Sequence, residues 1–217
     1  MARIAICTPH NGEVKADYAF SMGKLLLASQ PLHELELFGA RGSSIALNRM
    51  SIADNALAWG AEYLLWIDSD HIFPADTLAR LLAHGHDIVG CNQPRRAFGQ
   101  PPTAVIVQNG QLRYVVTSRK EVEARLVQRV HALGLGVCLM RAEILCRMER
   151  PWFENWPGGE DSYFFAKLSK LQVPVYLDHA LSWEIGHLGD HIFSNADVVV
   201  DPAQLWAGGA PDEPSPV

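Results

Sequence analysis

The chain has 217 residues, 48% of them hydrophobic and 19% charged, enough to fold around one substantial core and too apolar for a disordered chain. Its formal net charge of −6 argues against a broad basic footprint for nucleic acid. No apolar run approaches the roughly 18–20 residues that span a bilayer, and the opening "MARIAICTP" reads as a first strand rather than a signal peptide, so a cytoplasmic protein is expected.

In chain order, "RIAICTP" is a buried strand that Pro9 should end. Residues 15–29 carry apolar positions at helical spacing, and "HELELFG" alternates as a half-buried strand does. "SSIALNRMSIADNALAWG" opens on serine caps and closes on Gly60, the punctuation of a helix. "AEYLLWID" follows as a strand, "PADTLARLLAHG" as a helix with Pro74 in its first turn, and "DIVGC" as a further strand. This alternation predicts a mostly parallel sheet covered by helices on both faces. After Cys91 the grammar changes. Asn109-Gly110 separates two β-rich runs as a hairpin, "EARLVQRV" and "LGVCLM" are strand candidates, and "RAEILCRM" is a short helix. A helix is expected from about Asp161, then "VPVYLD" as a strand and "ALSWEIGHLG" as another. Residues 196–217, rich in Pro, Gly and Ala, are expected to form a loose tail. Cys7, Cys91, Cys138 and Cys146 form no CxxC pair and read as reduced thiols.

Four stretches carry candidate chemistry. Asp68 and Asp70 close the apolar run at residues 63–67, where open α/β sheets bind ligands. On an extended chain they share a side, so a divalent cation between them would relieve their repulsion; solvated turn residues are the plainer alternative. In "WPGGEDSYFF", Glu160 and Asp161 stand at a helix N-terminus, either as caps or as a general base on a tight glycine loop. Trp152, Phe153 and Trp156 precede them and could offer a face to a sugar or base. His187 lies between Gly186 and Gly189, where backbone can approach a ligand. Asn48 and Arg49 fall early in the helix before the Asp68 strand, and arginine suits a phosphate.

In this order the pieces resemble the GT-A glycosyltransferases: an Asn-Arg helix, an apolar strand ending in DxD, a Gly-Gly-Glu-Asp loop and a Gly-flanked His. "WPGGED" is similar to the Trp-Gly-Gly-Glu-Asp loop of the β-1,4-galactosyltransferases, and "GLGVCLMRAEIL" resembles the segment that family-2-like enzymes place before their Glu-Asp motif. The resemblance covers residues 1–195. It implies one Rossmann-like α/β domain with a mostly parallel central sheet and an appended mixed β half. It also implies roles: Asp70 and His187 as metal ligands, and Asp68 on the donor ribose or a metal-bound water. Asp161 would be the general base, Glu160 would hold the acceptor, and Thr8, Pro9 and Arg49 would line the nucleotide pocket. A histidine beside oxygen ligands suits Mn²⁺ better than Mg²⁺.

The activity so implied is transfer of a sugar from a nucleotide-sugar donor, UDP-linked, to a hydroxyl on a glycan or a hydroxymethylated DNA base of phage type. Arg95, Arg96, Arg119 and Lys120 could form a local phosphate track for the second acceptor. A nucleotidyltransferase also places acids on an α/β sheet but more usually has a basic Gly-rich loop near its first strand. A non-catalytic sugar- or nucleotide-binding module would explain the aromatics and the metal site without needing Asp161.

Overall fold

The computed structural model describes residues 1–205. Its first half alternates as the sequence predicts: β1 (Arg3–His10), α1 (Ala16–Ser29), β2 (Glu34–Arg41), α2 (Ile45–Trp59) and β3 (Tyr63–Ile67), then β4 (His71–Ile72), α3 (Thr77–Ala83) and β5 (Ile88–Gly90). The second half adds the hairpin β6 (Val105–Gln108) and β7 (Gln111–Tyr114), α4 (Arg119–Glu123), β8 (Val127–Val130), β9 (Val137–Arg141) and α5 (Glu143–Arg147). It closes with α6 (Glu160–Ser169), β10 (Val175–Asp178), α7 (His179–Glu184), β11 (Gly186–Leu188) and β12 (Ile192–Phe193).

Seven strands form one twisted sheet in the order β2-β1-β3-β9-β5-β10-β8. β1 pairs in parallel with β2 and β3, and β5 in parallel with β10. β9 is antiparallel to both β3 and β5, and β8 is antiparallel to β10. The mixed half therefore contributes a strand to the centre of the sheet as well as one to its edge. A small sheet, β12-β11-β4, stands beside the end of β3.

The central strands are apolar throughout because both faces are covered. Leu64 and Trp66 of β3 enter the cluster under α2, α5 and α6, with Cys138 and Met140 of β9. Leu65 and Ile67 enter the opposite cluster with Leu25 of α1, Leu78 of α3 and Leu181 of α7. The caps set the helix limits. Ser44 Oγ accepts from the Leu47 amide to open α2, and Gly60, at φ 84°, closes it in the left-handed region that glycine adopts freely.

Local chemistry overrides four expectations. β1 runs on through Pro9 to His10; beyond Cys7 it pairs only with β2, so a missing N–H is tolerated there. "ALSWEIGHLG" is helical first, because Asp178 Oδ1 accepts from the Leu181 amide 2.8 Å away and caps α7; only Gly186–Leu188 extends as β11. "EARLVQRV" shortens to β8 because a Ser118–Glu121 capping box starts α4 ahead of it. Helix α3 begins at Thr77, whose hydroxyl donates to the Pro74 carbonyl at 2.7 Å, so Pro74 stands before it rather than in its first turn. The hairpin holds as expected, with Asn109 and Gly110 both at positive φ. Of the expected tail, residues 196–205 include two short 3₁₀ turns, and Leu205 bridges Tyr114; residues 206–217 lie outside the described residues. No helix among the described residues is long and apolar enough to cross a membrane.

Gly90 marks how tightly β9 is inserted. A Cβ there would stand 2.8 Å from the Val137 carbonyl oxygen and 3.0 Å from Leu133 Cδ1. Backbone cannot swing aside as a side chain can, so Gly90→Ala should destabilise the fold by about 1–3 kcal/mol in urea denaturation. An unchanged midpoint would show that β5 and β9 separate without cost.

Candidate active site

A polar cleft of about 530 Å³ opens at the carboxyl ends of β1 and β3. Pro9 and His10 line it from β1, and Gly42, Ser43, Ile45 and Asn48 from the start of α2. Asp68, Ser69 and Asp70 form its floor, and Lys15, Arg96 and His187 complete the rim. Thr8 is buried and its hydroxyl is engaged with Tyr18 Oη at 2.7 Å, so of the expected nucleotide contacts on β1 only Pro9 faces the cleft.

Asp68 and Asp70 turn to different partners. The strand ends at Ile67 and residues 68–70 turn, which breaks the extended geometry that would have put both carboxylates on one side. Asp68 stays on the Trp66 side, where its Oδ1 accepts from Arg49 Nη2 at 2.9 Å. Asp70 turns to the small sheet. Its Oδ1 lies 3.2 Å from His71 Nδ1, and its Oδ2 lies 3.4 Å from His187 Nε2 and 3.0 Å from Arg96 Nη1.

Asp70, His71 and His187 offer ligand atoms that all fall within 4.8 Å of one another, close enough for one ion to touch all three. Two features fit them to a cation. His187 Nδ1 is 2.9 Å from the Pro94 carbonyl, which can only accept, so that nitrogen carries a proton and the ring presents Nε2 to the Asp70 carboxylate. His71 is 1% exposed, and among the described residues neither ring nitrogen has a partner of hydrogen-bond geometry. A buried polar pair so placed is expensive without a ligand. Burial pushes the Asp70 carboxyl up, but the facing His187 and His71 nitrogens outweigh it and hold it well below the usual carboxylate range. His71 was not among the expected ligands, because strict strand alternation points it away from Asp70. Pairing of β4 with β11 instead sets it opposite His187, with the rings stacked at 4.3 Å. Its position directly after Asp70 was the available signal.

Arg49 does not line the cleft. It is wholly buried over Trp66, 5.2 Å from the ring centroid, and serves three acids. Besides Asp68, its Nε donates to Glu160 Oε1 at 2.9 Å, and its Nη2 lies 3.7 Å from Asp161 Oδ1. Glu160 is thereby committed to Arg49 rather than turned to a ligand. Neither acid caps α6: Gly159 holds the cap position at φ 98°, and no side-chain hydrogen bond closes that end among the described residues. Asp161 Oδ2 instead accepts from the Leu135 amide at 3.1 Å. Burial pushes the Asp161 carboxyl up to about 7; Arg49 pulls down, while Glu160 and Asp68 push further up.

The aromatic expectation changes most. Trp152 and Phe153 are 4% and 2% exposed, and Phe153 packs edge-on against Trp66, so both belong to the core. Trp156, half exposed beside Tyr163, is the member of the three that meets solvent.

No family model matches the chain, and no curated protein matches it. Among solved structures, A197 from STIV superposes with a TM-score of 0.62 at 18% identity, covering 91% of this chain and 92% of that one. TarS 1–349 of S. aureus aligns over 82% of this chain and 57% of that one, at 14% identity and a TM-score of 0.41. The fold shared with A197 is a Rossmann-like α/β fold.

Two stability measurements test the acid cluster. Arg49→Met removes the charge, keeps the length and leaves three carboxylates facing one another. It should cost about 3–5 kcal/mol near neutrality, and less at pH 5 than at pH 8, as the acids take up protons. The Asp161 carboxyl binds its proton more tightly folded than unfolded, so its stabilising contribution is complete below about pH 4 and lost as pH rises to about 7. Asp161→Asn keeps an acceptor for Leu135 and cannot ionise. Its stability relative to the wild type should therefore climb across that window and level off above it; a flat difference would contradict the raised proton affinity.

Proposed function

We propose that the protein is a metal-dependent, inverting glycosyltransferase that moves a sugar from a nucleotide-sugar donor, UDP-linked, to an acceptor hydroxyl. The observation that carries this reading is the presence of two unlike carboxylate sites, Asp70 beside two histidines and Asp161 beside the buried Arg49. Asp70, with two histidines, is held ionised at a cation-ready site in the cleft. Asp161, beside Arg49, is held above the usual carboxylate range by its burial. Acids pushed apart in this way take different roles.

Asp70, His71 and His187 would hold a divalent cation, Mn²⁺ in preference to Mg²⁺ given two nitrogen ligands, which when bound neutralises charge on the departing diphosphate. Asp68, with Oδ1 fixed by Arg49, accepts from a donor ribose hydroxyl. Asp161 takes the acceptor hydroxyl's proton as that oxygen attacks the anomeric carbon from the face opposite the diphosphate. The bond from the anomeric carbon to the diphosphate oxygen breaks, and its electron pair leaves with the diphosphate. A carboxyl titrating near 7 suits a base, since it is largely ionised just above neutrality and still a useful proton acceptor. Glu160, through Arg49, positions the group. The acceptor is a glycan or a hydroxymethylated DNA base, with Trp156 available to stack on its ring.

Turnover should rise with pH through about 7 as Asp161 ionises. Asp161→Asn should keep Mn²⁺ and UDP binding while losing roughly 10²–10⁴ in kcat. Sugar transfer near the wild-type rate by that variant would remove Asp161 as the base. Separately, Asp70→Asn and His71→Ala should each abolish Mn²⁺ binding by isothermal titration calorimetry, and retained affinity in His71→Ala would leave that histidine a core residue.

A further inference from the structure

One cation already sits on the metal-site carboxylate. Arg96 Nη1 lies 3.0 Å from Asp70 Oδ2, the oxygen that also faces His187 Nε2. An ion seated among Asp70, His71 and His187 brings a second positive charge onto that oxygen, and two cations cannot hold one carboxylate oxygen without strong repulsion. Unlike Arg49, Arg96 has freedom to yield. Its side chain is 53% exposed, and residues 95–100 are all exposed and without regular structure.

The segment that carries Arg96 is anchored at its base. The Gln93 amide donates to Thr103 Oγ1, and the Thr103 amide donates to the Gln93 carbonyl, both at 3.1 Å. The next residue, Pro94, gives its carbonyl to His187 Nδ1. Arg96 thus hangs two residues beyond a backbone group that is bonded to a metal-ligating side chain, and whatever it releases it stays at the cleft rim, where Arg96 is already part of the lining. A guanidinium there has one chemical partner that it fits better than a carboxylate in competition with a metal, namely the paired oxygens of a diphosphate.

We infer that Arg96 is a latch: it holds Asp70 when no metal is bound, is displaced from Asp70 by the metal, and then grips the diphosphate of the donor. The inference rests on the nucleotide-sugar reading above. It makes metal and nucleoside diphosphate bind cooperatively, because the metal frees the arginine that the diphosphate needs, and the diphosphate removes the arginine's competition for Asp70.

The test measures binding in the full chain by isothermal titration calorimetry, with Mn²⁺ alone and with UDP in saturating Mn²⁺, for the wild type and Arg96→Ala. The variant should bind Mn²⁺ alone more tightly, since its competitor is gone, and bind UDP in Mn²⁺ more weakly, since a diphosphate contact is gone. Coupling between metal and diphosphate, typically about 5–150-fold between linked sites, should shrink to the part that comes from their direct attraction. Constants that do not move, or that move in the same direction, would overturn the latch and leave the glycosyltransferase reading standing. A wild-type protein that binds neither Mn²⁺ nor UDP in its presence would overturn both. Arg96 is exposed and packs into neither core cluster, so loss of folding does not confuse the result; circular dichroism of the variant checks that directly.

Discussion

The acid cluster at this site is arranged around one buried guanidinium. Arg49 comes from α2, lies over a β3 tryptophan and meets acids from the end of β3 and from the first turn of α6. A single positive charge cannot neutralise three carboxylates. The surplus falls on the acid with the most distant contact, Asp161, whose Oδ1 has only Arg49 Nη2 at 3.7 Å. Buried ion pairs are weak evidence for stability, since desolvation offsets most of the attraction. Their use here is positional: Arg49 fixes the distance between the cleft carboxylate and the carboxylate near the α6 N-terminus, and leaves the second short of compensation.

The metal-type site depends on a different constraint, the close approach of backbone. Gly136, just before β9, has no room for a Cβ, which would stand 2.7 Å from His71 Cε1 and 2.8 Å from Gln93 Oε1. Gly186 is equally tight against Ile72 and Ile192 across the small sheet. These glycines let β4 and β11 draw together until the two imidazoles stack, so the histidine pair is a product of sheet packing rather than of loop conformation. The antiparallel insertion of β9 serves this directly, because it brings Gly136 and the Asp68 amide together, bonded through the Gly136 carbonyl at 3.0 Å.

Much of this was readable in the chain, and what was not shares a cause. The β1–β5 alternation, the Asn109-Gly110 hairpin and the acids closing an apolar strand are local signals, and they survive into the fold. Arg49 reads as a surface or phosphate-binding arginine because nothing nearby in sequence says that Trp66, Glu160 and Asp161 will surround it. Trp152 and Phe153 read as a ligand platform because a turn-rich neighbourhood suggests exposure, yet Trp152 Nε1 finds the Met148 carbonyl and Phe153 finds Trp66 and Phe164. His71 was hidden by a two-residue strand too short to show a period. Contacts between residues distant in the chain, such as Arg49 with Glu160 and His71 with His187, take part in most of these, and a pattern along the chain does not contain them.

The separation of Asp68 from Asp70 then acquires a physical meaning. Had both carboxylates faced one ion, their charge would have been gathered at a single point. The turn at residues 68–70 instead splits the pair between Arg49 and the His71–His187 site. One short segment at the end of β3 is thereby rigidly tied to the acid cluster on one side and to the histidine pair on the other. Only Ser69 lies between the two carboxylates, so both ties fall within three consecutive residues.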